Sequence, residues 1–66
     1  MPLLHYRIDY SAVPASERDK VFKILHSAMD APQDSIGEFV SEAFLPPSID
    51  PALLGFPDGC IIDQIP

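Results

Sequence analysis

The alternation between Leu4 and Tyr10 constrains this chain more than any other feature. Leu4, Tyr6, Ile8 and Tyr10 alternate with His5, Arg7 and Asp9, and a period of two separates an apolar from a polar side only on an extended backbone. The stretch therefore reads as a half-buried β-strand. Pro2 opens it, where a residue lacking a backbone N–H costs least. A strand with one apolar side must lie on something, and the remaining sequence has to supply the cover.

Ser11 to Ala15 is a connection containing Pro14. Ser16-Glu17-Arg18-Asp19 then carries the signature of a helix start: a serine able to accept from an orphan N–H, and acids at the positive end of the helix dipole. The helix is expected from Ser16 to Met29 or Asp30. Val21, Ile24, Leu25 and Ala28 recur at helical spacing, Phe22 and Met29 widen the stripe, and Glu17, Lys20, Lys23 and Ser27 face water. Pro32 forbids continuation. A second strand is expected from Ile36 to Ala43, where Ile36, Glu38, Val40 and Glu42 alternate with Gly37, Phe39, Ser41 and Ala43. Strand, helix and strand in that order predict an α/β fold: a single βαβ unit with parallel neighbouring strands and a right-handed crossover. Leu45 to Pro51 is too proline-rich for either regular element, and Pro51 to Leu54 suits one helical turn stopped by Gly55. Phe56-Pro57-Asp58-Gly59 is a turn, and Cys60 to Ile65 a short C-terminal strand.

With 66 residues, residues 1–66 form one domain, and a chain this short buries only about 60% of the surface its unfolded form exposes. The one cysteine, Cys60, permits no internal disulfide, and the spacing of His5, His26 and Cys60 fits no zinc site. No metal or cofactor is expected. Self-association is the expected substitute for such staples. Ten acids oppose four bases, and Ile24 to Pro66 holds seven carboxylates and no Lys or Arg. Nucleic acid needs a basic footprint, so it is excluded as a partner. Apolar runs are too short for a membrane span, the N-terminus lacks a signal-peptide pattern, and the expected compartment is the cytoplasm.

Pro2 is the candidate catalytic residue. Removal of Met1 would leave a secondary amine with a pKa near the α-amino reference of about 7.7–8.0, and burial would lower it toward neutrality. Such a group can take and return a proton. Arg7 offers a fork for a carboxylate, although a lone arginine on the polar side of a strand is ordinarily solvated. His5 and His26 have no partner at telling spacing. Tyr6, Tyr10, Phe39 and Phe44 suit core or subunit contact, and Cys60 suits a small buried apolar site.

Taken in order, these motifs resemble the tautomerase superfamily, whose small βαβ members use an amino-terminal proline. Met1-Pro2-Leu3-Leu4 is similar to the openings of the malonate semialdehyde decarboxylase-like branch. Ser16-Glu17-Arg18-Asp19-Lys20 sits where members begin their helix. Asp30-Ala31-Pro32, Ser35-Ile36 and Glu42 are similar to the helix-to-strand junction of 4-oxalocrotonate tautomerase. Leu54 to Ile65 looks like the entry to a second repeat in longer members, so the chain is similar to a first βαβ half. The resemblance implies proton transfer on a 2-oxo acid or its enol, with Pro2 as acid and base and an oligomeric assembly. Ala12 and Gly37 fall where arginines would grip the substrate, and only Pro2 carries over. The alternative is a catalytically silent oligomer or binding subunit of a tautomerase-like assembly, with a related partner bringing the arginines, or a truncated half of a longer protein.

Overall fold

The computed structural model describes residues 2–66. Strand β1 (Leu4–Asp9) is followed by helix α1 (Ala15–Ser27), strand β2 (Val40–Leu45) and strand β3 (Ile61–Ile65), with single 3-10 turns at Gln33–Ser35 and Pro51–Leu54. The sheet order is β2-β1-β3, and β1 pairs antiparallel with both neighbours. The expectation of a βαβ unit with parallel strands is thereby overturned.

The reason lies in residues 28–39, which hold a reversal that their alternation conceals. After α1 the chain runs along the outer edge of β2, where Asp30 bridges to Phe44 and Ile36 to Ser41, both antiparallel. Because β2 is itself antiparallel to β1, this return segment points along β1, but β2 lies between them. The expected second strand, Ile36 to Ala43, is thus split by a turn. Gly37 N–H donates to the Val40 carbonyl at 2.9 Å, and a Cβ on Gly37 would stand 2.9 Å from that same oxygen. Only glycine permits so close a reversal without displacement. The strand proper begins at Val40, with Ser41, Ala43 and Leu45 turned inward.

The helix also begins earlier than expected. Pro14, extended at φ −57° and ψ 148°, precedes its first turn, and no side chain caps it. Its carbonyl accepts from Glu17 N–H at 2.8 Å, so Ser16 lies inside the helix rather than at its cap. At the other end Ala28 is the last cap residue and Met29 lies beyond it. Pro51–Leu54 does form a turn: the Asp50 side chain accepts from Ala52 N–H, and Gly55 closes it at φ 89°.

The core lies between sheet and helix. Tyr6, Ile8 and Tyr10 from the β1 segment meet Val21, Leu25, Met29, Ala43 and Leu45, with Val13 closing one end. Leu54, Phe56, Cys60 and Ile62 pack against the same cluster, so the long connection before β3 covers the helix side of the sheet. Tyr10 joins the layers. Its ring meets Phe22 edge-on at 5.4 Å between centroids, and its hydroxyl donates a short hydrogen bond to the Gly37 carbonyl.

Candidate interaction surface

Cover on one side leaves the other side bare. The two registers align Val40 with Asp9 and Ile61, Glu42 with Arg7 and Asp63, and Phe44 with His5 and Ile65. Since directly paired residues share a face, these nine positions form a three-by-three array on the side away from α1. Val40, Ile61, Phe44 and Ile65 hold the corners, and Asp9, Glu42, Arg7, Asp63 and His5 form the cross between them. Arg7, Glu42, Ile61 and Asp63 are exposed, and the other five are half-buried. Ile61 is 54% exposed, a large apolar side chain left in water on an edge strand.

The array is ordered by its own contacts. His5 stacks on Phe44, its cross-strand partner, with ring centroids 4.7 Å apart and planes 15° apart. Its Nε2 lies 3.0 Å from Glu42 Oε1, although the N–H direction misses the carboxylate and no aligned hydrogen bond forms. With both side chains partly exposed, such a pair contributes about 0–1 kcal/mol. Arg7 stands centrally in register with both Glu42 and Asp63, yet among the described residues the close acid–base contacts are His5 with Glu42 and Lys20 with Glu17. Asp9 Oδ1 accepts from Ser11 N–H at 2.9 Å. That bond from Ser11 holds the Asp9 carboxyl below its ordinary pKa, so it stays charged at the rim of the array.

The candidates named from sequence scatter over the molecule. Pro2 is exposed and lies two residues before the start of β1; the state of Met1, on which a free amine depends, lies outside the described residues. Tyr6 and Tyr10 are core. Phe39 is 47% exposed, and the Arg18 guanidinium sits 5.3 Å above its ring. His26 borders a shallow depression of about 600 Å³ along α1, with Asp19, Phe22, Lys23 and Ser27. A second groove, about 440 Å³, runs between the start of α1 and Phe56-Pro57-Asp58. Neither includes Pro2, His5 or Arg7. Burial raises the Cys60 thiol pKa, with a smaller contribution from the Asp9 charge, which makes this thiol a poor nucleophile.

Among the described residues no three His, Cys, Asp or Glu side chains converge to hold a metal ion, and no helix is long and apolar enough to cross a membrane. Comparison with known proteins finds no matching family model, no matching curated protein and no matching solved structure. Sequence reasoning found the polar side of β1 but not the array. Cross-strand neighbours come from register, and the register rests on the concealed turn at Gly37.

Proposed function

We propose that this chain is a catalytically silent assembly subunit that buries the open face of its sheet against another protein chain in the cytoplasm. The observation that carries this reading is the difference between the two faces. One is closed by α1 and the connection before β3, whereas the other has an exposed apolar corner at Ile61 and half-buried ones at Val40, Phe44 and Ile65 around a charged cross. A small domain gains core by burying such a face, at roughly 25 cal/mol per Å² of apolar surface removed from water. Phe44→Lys combined with Ile65→Lys tests it. The unaltered chain is expected to travel in a cell extract as a complex well above 7.3 kDa, and the double variant, folded by circular dichroism, as a monomer. An unaltered chain that travels as a monomer would contradict the proposal.

The tautomerase reading takes a single point of support from the geometry, the accessibility of Pro2. The desolvation that would bring a prolyl amine toward neutrality is not supplied by an exposed site. Its test is ketonisation of the phenylpyruvate enol by Met1-free protein. A rate enhancement lost when a residue is fused before Pro2 would favour the enzyme over the silent subunit.

A further inference from the structure

The array's charges say more about its occupant than its apolar corners do. The cross holds two bases, Arg7 and His5, against three carboxylates, Asp9, Glu42 and Asp63. His5 stands 3.0 Å from Glu42, so among the described residues Asp9 and Asp63 are the carboxylates of the cross without a basic partner in contact. Any centred two-fold packing of two copies sets Arg7 against Arg7. With the axis along or across the strands, it also sets the Glu42 and Asp63 carboxylates against carboxylates in one water-poor layer, where like charges cost most. A head-to-tail arrangement has few bases to offer. α1 carries Arg18, Lys20, Lys23 and His26 against Glu17 and Asp19, but Lys20 is already 2.7 Å from Glu17 and Arg18 lies above the Phe39 ring. Among the described residues that leaves Lys23 and His26, one turn apart on α1, as the bases a second copy could offer to the open face.

Dimensions narrow the occupant further. Three strands spaced about 4.8 Å apart, with same-side residues about 6.8 Å apart along each, give a face roughly 10 Å wide between its outer strands. A single helix, about 10 Å across, matches that width; on the opposite side the 13-residue α1 shares the cover with the connection before β3. The apolar corners suit an apolar stripe, and the carboxylates between them suit Lys or Arg beside that stripe. Building on the assembly-subunit reading, we propose that the open face receives a cationic amphipathic helix of a different protein.

The test uses the full chain and a synthetic 18-residue Leu/Lys amphipathic helix, followed by fluorescence anisotropy, with a scrambled peptide of the same composition and a Leu/Glu analogue for comparison. The amphipathic Leu/Lys helix is expected to bind, more weakly as salt rises, while the Leu/Glu analogue does not. Glu42→Gln with Asp63→Asn should weaken binding about tenfold or more. Asp34→Asn with Asp58→Asn, which changes net charge equally away from the array, should alter it less than about twofold. Equal weakening by the two pairs, or equal binding of the scrambled peptide, would reduce the effect to general charge attraction and overturn the inference. Sedimentation of the chain alone separates the two proposals. A dimer that Phe44→Lys with Ile65→Lys dissolves would refute the foreign helix while upholding the open face as a contact. Absence of both self-association and peptide binding would sink both.

Discussion

The two faces of this sheet are built from the same three strands and differ by one residue in phase. Tyr6, Ile8, Ser41, Ala43 and Leu45 look toward α1 and are buried, whereas Arg7 and Glu42, one step along, are exposed. On the covered side apolar residues interlock with Val21 and Leu25. On the bare side the same pleat displays charge, stacked rings and unspent apolar corners. Stability and recognition are thus segregated by parity, and a substitution's consequence should depend on whether its position along a strand is odd or even.

The sharpest way to break this comparison is to truncate both sides. Leu25→Ala or Ile8→Ala, each fully buried, should cost about 2–5 kcal/mol in urea unfolding of the isolated chain. Arg7→Ala and Lys23→Ala should each change it by less than about 0.5 kcal/mol. Comparable losses would show that the open face contributes to the fold as much as the closed one.

A smaller effect is expected where the faces are joined. Gly37→Ala places a Cβ 2.9 Å from the Val40 backbone oxygen, and the resulting displacement should cost about 1–3 kcal/mol. Tyr10→Phe, which removes the bond to the Gly37 carbonyl, should cost about 0.5–1.5 kcal/mol. Amide exchange should show the loss concentrated around Val40 and Ser41. A uniform loss over the sheet would mean that the turn and the helix layer are not separately anchored.

The smallest effect is in pH dependence. Burial raises the Tyr10 and Cys60 pKa values, so the unfolded chain releases these protons first as pH rises. The stability tied to the protonated groups is complete below the unfolded thiol value of about 8.5 and is lost as pH climbs through the folded values. Cys60→Ala should flatten the early part of that decline and leave the later Tyr10 part. Asp9 acts in the opposite sense. The Ser11 hydrogen bond lowers its pKa, so its contribution is present above about 3.9 and fades as pH falls through the folded value. Asp9→Asn should therefore make acid unfolding less steep, and an unchanged profile would assign that steepness to other carboxylates.

Elements with an uninterrupted period were legible in the sequence. Leu4 to Tyr10 showed the alternation of β1, and Val21 to Leu25 the inward stripe of α1. The last strand, expected over Cys60 to Ile65 and found at Ile61–Ile65, was legible from the turn before it rather than from a period. Strand direction was not legible, because alternation carries no sense of up or down and a strand, a helix and a strand can close in either sense. The residue that decides it, Gly37, sits inside an alternating run and differs from its neighbours only in what it lacks. The array was half legible for the same reason: His5, Arg7 and Asp9 could be placed on the polar side of β1, but nothing in the chain's order put Phe44 beside His5 or Asp63 beside Arg7.

The bridges at Asp30 and Ile36 have a consequence for where the sheet can grow. They occupy the outer edge of β2 at two points, while among the described residues no segment pairs along the outer edge of β3. A sheet open on both sides can add copies without end, which is the route to fibres. Here the two margins differ. Strand-to-strand addition along β3 meets an edge ladder of five residues, whereas at β2 it meets a segment that is bridged at two points and is not itself a strand. The β3 margin is therefore the one through which growth would proceed.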